Sequence, residues 1–203
     1  AYPFTQNSQA LQGLSLACGL AVIQGIATSL RVPKEQLHDL GIGLKWPNDL
    51  LIHGKKLGGI LIEGGKLASP SPTQKTWMII GVGLNLEYSA ELEESSQIAI
   101  AALAQCNYQQ IALEADVVWL NILDALGDYL VAFSNEGFAP LKAEWNRWDA
   151  YQNQFVEITE GGKTQLSGIE CGVNPEGALL IEEHPGSDPK VIYAGDLSLH
   201  KRP

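Results

Sequence analysis

The sequence predicts an α/β (α+β) protein, a mixed β-sheet backed by helices and followed by a small all-β region. Three observations carry this expectation. Apolar residues recur every three or four positions around residues 11–30 and 115–133, as a buried helix face requires. Between those stretches, short apolar runs bounded by glycine, proline and asparagine read as strands. After Tyr151 the helical period disappears and four short strand-like runs follow at close spacing, the punctuation of a small barrel.

The elements follow in order. After a polar entry in which Asn7 or Ser8 offers an N-cap, Leu11, Leu14, Ser15, Cys18, Val22, Ile26 and Leu30 mark an amphipathic helix. Residues 50–52 and 58–63 read as strands joined across His53-Gly54-Lys55, a glycine-containing hairpin connection. Residues 77–86 are almost continuously apolar and are expected to form a buried strand. Ser69-Pro70-Ser71-Pro72-Thr73 reads as a polar loop between them. A second helix is carried by Val118, Leu120, Ile122, Leu123, Leu126 and Leu130. A third, at about residues 140–148, places Leu141, Trp145 and Trp148 on one face. Strands are then expected at residues 155–159, 165–173, 178–182 and 191–194, so the domain boundary falls between 1–150 and 151–203.

Composition narrows the function. A chain of 203 residues is ample for a buried core. Its 13 Lys and Arg against 23 Asp and Glu give a net charge of −10, which opposes adhesion to polyanions, so no nucleic-acid binding by this segment is expected. The three cysteines form no CxxC pair, which suggests neither a disulfide framework nor a zinc site and fits a reducing, cytoplasmic setting. Cys18, inside a helical apolar pattern, reads as a small core hydrophobe. No apolar run is expected to reach the roughly 20 residues needed to span a bilayer, so no membrane partner is expected.

Three motifs carry the chemistry. They are Lys45-Trp46-Pro47-Asn48-Asp49, then Lys56-Leu57-Gly58-Gly59-Ile60-Leu61, and finally Gly81-Val82-Gly83-Leu84-Asn85. Glycine inside a strand weakens it and often marks a place where a ligand approaches the backbone; a lysine beside such glycines can meet an anion. Asp49 has the oxygen chemistry for Mg²⁺ near phosphates, although Asn48 and Asp49 after a proline also suit an Asx turn. Asn48 is suited either to position a nucleotide or to brace the loop. The third motif follows an apolar strand but lacks the third glycine and the helix of a dinucleotide fingerprint.

In this order and at about this spacing, the motifs resemble those of the biotin protein ligases, and the resemblance runs through Gly195-Asp196-Leu197-Ser198-Leu199. It implies a class II synthetase-like catalytic domain followed by a small SH3-like domain. It also implies the activity: biotin and ATP form biotinyl-5′-AMP, with Mg²⁺, and biotin then passes to a lysine of a biotin carboxyl carrier protein. By the same resemblance Lys56 contacts both the biotin carboxyl and the phosphate. Asp49 would hold the metal, and Asn85 would bond adenine, for which an amide offers both a donor and an acceptor. Asn48, Gly58, Gly59, Gly83 and Leu84 would border the ligands. Lys45 is expected to steady phosphate or pair with Asp49, and Trp46 to pack. Glu63, which closes the second strand, is given no catalytic role, and His200 stands where many relatives have arginine.

Relatives carry, upstream of this region, a GRGRxxRxW loop and a strand ending in Ser/Thr-Asn. Neither motif is found here, so an amino-terminally truncated ligase is expected. The alternative is a catalytically incompetent remnant that binds nucleotide or serves a structural role. A lipoate or octanoyl transferase is disfavoured by the combination of KWPND with KxGGIL. An exposed sheet edge offers a route to a homodimer, as in some relatives.

Overall fold

A computed structural model describes residues 1–4, 11–66, 76–96, 98–106, 112–160, 163–193 and 198–201. At its centre is α1 (Leu14–Leu30), whose small and aliphatic residues are buried on nearly every side. A helix that is apolar all round needs cover all round. One side is covered by α3 (Ala115–Glu136) and another by a five-stranded sheet. Two glycines set these approaches: a Cβ on Gly25 would stand 2.6 Å from Ile122 Cα of α3, and one on Gly19 would stand 3.2 Å from Leu44 of the sheet.

Cys18 is fully buried there, and burial pushes its thiol up to about 12, which makes it a core residue and not a nucleophile. The helix begins at Leu14 with Gly13 at its N-cap; Asn7, Ser8 and the expected loop at residues 69–73 lie outside the described residues.

The first sheet comprises β1 (Tyr2–Phe4), β2 (Ile42–Lys45), β3 (Asp49–Ile52), β4 (Lys55–Lys66) and β5 (Thr76–Leu84), in the order β1-β5-β4-β3-β2. Every ladder is antiparallel; the mixed character expected from sequence is confined to two isolated parallel bridges, Leu44↔Asp149 and Lys56↔Ile100. The expected hairpin is present between β3 and β4. His53 and Gly54 adopt φ of 49° and 79°, the positive values that a two-residue type I′ turn requires. The second strand runs on past Glu63 to Lys66.

One expectation is corrected. β5 alternates between half-buried and exposed residues along most of its length, and Ile79 and, diagonal to it in β4, Leu61 are 57% and 61% exposed. Among the described residues α1 and α3 pack against one face of the sheet, and the apolar sequence of β5 does not disclose that Ile79 is exposed on the other.

The short α2 (Ala90–Ser96) follows β5, and α4 (Lys142–Trp148) follows α3 after a 3-10 turn at Ala139–Leu141. The second sheet contains β6 (Phe155–Glu160), β7 (Lys163–Val173), β8 (Leu179–Glu182), β9 (Lys190–Ile192) and β10 (Ser198–Lys201), in the order β10-β6-β7-β8-β9. Among the described residues no ladder joins β9 to β10, so these ladders do not by themselves show the closure of the expected barrel.

The length and composition of α3 are sufficient to cross a membrane, contrary to the expectation from sequence. However, its Val118, Ile122, Leu126 and Phe133 are buried in the core shared with α1, while Asp124 and Asp128 are on its exposed side.

Candidate functional site

The three motifs meet because the sheet register aligns them. Lys45 pairs with Asp49, Asp49 with Gly59, and Gly59 with Gly83, so one row crosses four strands. It starts with a cation and a carboxylate and ends in two residues without side chains. Two positions along β4, Leu61 pairs with Gly81, which extends the bare floor.

Lys56 reaches back over this row. Its Nζ lies 2.6 Å from Asp49 Oδ1, and Lys45 Nζ lies 3.8 Å from Asp49 Oδ2. Lys56 is the more exposed of the two lysines, at 37% against 19%, and is therefore the ammonium placed to meet an incoming anion. Lys45 is held below the usual lysine range, chiefly by burial, with Lys56 adding to the effect and Asp49 opposing it. Lys55 is exposed, as the strand period predicts. A Cβ on Gly59 would press to 3.2 Å from Asp49 Oδ1, so the glycine makes room for the ion pair.

The amides do structural work. Asn48 Nδ2 donates to Ile60 O at 2.8 Å, while Ile60 N donates to Asn48 O at 2.8 Å, so Asn48 braces the loop against β4. Asn85 Nδ2 donates to Ala101 O at 3.1 Å and Lys56 O at 3.3 Å. The donor half of Asn85 thus fixes the backbone of Lys56, leaving Oδ1 as the half suited to a ligand donor. Trp46 is buried and its Nε1 donates to Gly177 O at 3.1 Å, which ties the loop to the second sheet. Glu63 is exposed, and His200 pairs with Glu157 in the β10–β6 ladder.

Two adjoining grooves lie over this floor. One, of about 500 Å³, is lined by Lys56, Gly58, Gly59, Gly83, Leu84 and Asn85, with Leu92, Ile98 and Ile100. The other, of about 430 Å³, is lined by Asn48, Asp49, Lys56, Gly59, Leu61, Gly81 and Gly83, among others. All of the site residues expected from sequence are therefore brought together.

The apolar wall of Leu92, Ile98 and Ile100 was not anticipated. Lys56 N donates to Ala99 O and Ala101 N to Lys56 O, so the segment docks on the backbone of the lysine itself. Glu93 accepts from Ile100 N and from Tyr88 OH, which fastens α2 to the segment. The only trace of this in the sequence is the pair of isoleucines flanking Ala99, too short a run to show a period.

The donor set does not fit a resident Mg²⁺. Both oxygens of Asp49 face lysine ammonium groups, and among the described residues no cluster of three His, Cys, Asp or Glu could hold a metal.

The sequence model of the biotin/lipoate A/B protein ligase family matches residues 4–85. The chain is 31% identical over 176 residues to the bifunctional ligase/repressor BirA of Escherichia coli, covering 85% of this chain and 50% of that protein. It is 29% identical over 189 residues to the biotin–[acetyl-CoA-carboxylase] ligase of Mycobacterium tuberculosis, covering 93% of this chain and 63% of that protein. The chain thus spans about half, and at most about two thirds, of the length of these curated relatives.

Among solved structures, the biotin protein ligase of Aquifex aeolicus superposes with a TM-score of 0.71 at 23% identity, over 96% of this chain and 77% of that one. The same enzyme in complex with biotin and ATP gives a TM-score of 0.70 at 23% identity, over 95% and 72%. Residues 4–85 match the biotin/lipoate A/B protein ligase family model, within a chain that shares the fold of a solved biotin protein ligase.

Proposed function

We propose that this chain supplies the adenylating floor of a biotin protein ligase. A biotin carboxylate oxygen attacks the α-phosphorus of ATP, forming a P–O bond as pyrophosphate leaves. A neutral lysine amine of a biotin carboxyl carrier protein then attacks the acyl carbon of the mixed anhydride, forming an amide and releasing AMP. The first step brings two anions together, and fixed positive charge lowers its barrier most.

Lys56 supplies that charge, while Asp49 holds the ammonium in place. The glycine row lets carboxylate and phosphate lie against the backbone. The observation that carries the reading is this ion pair at the end of a bare strip of sheet, with Leu61 and Ile79 exposed beside it for an apolar substrate. The three cysteines are free thiols, which supports a cytoplasmic setting.

The test is isothermal titration of the chain with a non-hydrolysable biotinyl-adenylate analogue, in parallel with biotin-dependent ATP–pyrophosphate exchange. Saturable binding that is lost in Lys56→Ala is expected, with no comparable binding of a lipoyl-adenylate analogue. A folded chain that binds neither analogue refutes the proposal, and preference for the lipoyl compound reassigns the substrate.

A further inference from the structure

Away from the grooves, two carboxyl groups meet in the seam between the sheets. Glu170 of β7 is 0% exposed, and neither of its side-chain oxygens has a donor. Asp149, immediately after α4, is the carboxyl group acting on it; Asp149 Oδ1 accepts from Tyr151 N at 3.0 Å, while its Oδ2 is buried without a donor. Gln154, whose backbone carbonyl accepts from Glu170 N, directs its Nε2 to Ala150 O and leaves Oε1 buried and without a donor. Two ionised carboxylates offer only acceptors, so they cannot bond to each other unless one carries a proton. Burying both as anions without a cation would be prohibitive.

We propose that Asp149 and Glu170 hold one proton between them, and that this pair positions the edge of the ligand-binding sheet. The geometry connects the two. Asp149 bridges to Leu44 and Ala150 N donates to Leu44 O at 2.8 Å, so the pair fixes the strand residue preceding Lys45. On the other side, Asn153 N donates to Glu170 O at 2.8 Å, which anchors the same segment to β7.

The groups acting on the pair are Tyr151, Cys171 and the backbone of Gly172; none of them is cationic. Tyr151 feels the charges of both Asp49 and Glu170, so it is electrostatically coupled to the site as well as to the seam. Burial first, and Asp149 second, hold the Glu170 carboxyl far above the usual carboxylate range; burial also raises Asp149.

A proton held by the folded state and released by the unfolded chain gives stability that is fully present below the unfolded pKa of about 4.3 and declines as pH rises. Glu170→Gln, whose amide can donate to Asp149, has no such proton to lose. Between pH 6 and 8 the unfolding constant of the wild type is expected to rise about 100-fold relative to Glu170→Gln, equivalent to about 2.7 kcal/mol. Infrared spectra of the wild type at pH 8 are expected to contain a protonated-carboxyl band, independently of whether the variant folds.

Positioning is read from the side-chain ¹⁵N resonance of Lys45, which is expected to follow the titration of the pair in the wild type and to lose that step in Glu170→Gln. Parallel stability curves, absence of the band, or an unmoved Lys45 resonance would overturn the proposal. So would a melting temperature that falls with a chelator and is restored by Mg²⁺ or Ca²⁺, which would place a cation where the proton is proposed.

Discussion

Replacing Gly25 by alanine sets two effects against each other. Alanine is favoured over glycine in a helix interior by about 0.8–1 kcal/mol. At position 25 the new Cβ would stand 2.6 Å from Ile122 Cα, 2.7 Å from its Cγ1 and 2.8 Å from its N. Two of those atoms are backbone and cannot swing aside, so α1 and α3 must part by most of an ångström along their buried faces. Overpacking of this kind costs about 1–3 kcal/mol, and the loosened contact of Ile122 and its neighbours adds to it, so a net loss of about 1–2 kcal/mol is expected.

Gly127 in α3 provides the control. A Cβ there would meet nothing within 4 Å, and the position is exposed, so the same substitution should stabilise by up to about 1 kcal/mol. Thermal unfolding of the full chain by circular dichroism resolves this, at about 2–4 °C per kcal/mol for a domain of this size. If Gly25→Ala melts at or above the wild type, the close helix approach is not what holds the core.

Further substitutions test the site. Gly58→Ala would bring a Cβ to 2.3 Å from Gly83 O, so the β4–β5 ladder must open; a loss above about 2 kcal/mol is expected in denaturant titrations. Gly81→Ala meets nothing closer than 3.7 Å, so stability should stay within about 0.5 kcal/mol while calorimetry shows weaker binding of the adenylate analogue. Asp49→Asn removes the group that supports the charge on Lys45, whose pKa should fall further by ¹⁵N titration. A lysine depressed in the folded state makes stability rise with pH between its folded and unfolded values. The Asp49→Asn protein should therefore gain on the wild type as pH approaches about 10.4.

What the sequence disclosed, and what it did not, follows from the range of the forces. The α1 and α3 patterns, the His53-Gly54 turn and the clustering of Lys56, Asp49 and the glycines were legible because period, turn chemistry and motif spacing are local. The open face of β5 was not, since cover over a strand comes from distant chain and Ile79 looks the same in the sequence whether covered or bare. The docking of residues 98–101 on Lys56 joins segments far apart by backbone bonds, which leave almost no mark on residue choice. The meeting of Asp149 with Glu170 was equally hidden, because each acid alone reads as an ordinary surface residue.

The row Lys45–Asp49–Gly59–Gly83 takes one residue from each of four strands. Such a site has no local existence: it is assembled by alignment, as a number is by the wheels of a combination lock. Substitutions in the His53-Gly54 turn that preserve its length should leave the alignment untouched. Inserting a single residue there would rotate one wheel, moving Gly59 and Lys56 out of line with Asp49 even if every strand still formed. On the proposed function, capture of the adenylate analogue would report correct strand register, and a library of turn lengths could be sorted for folding by that capture alone.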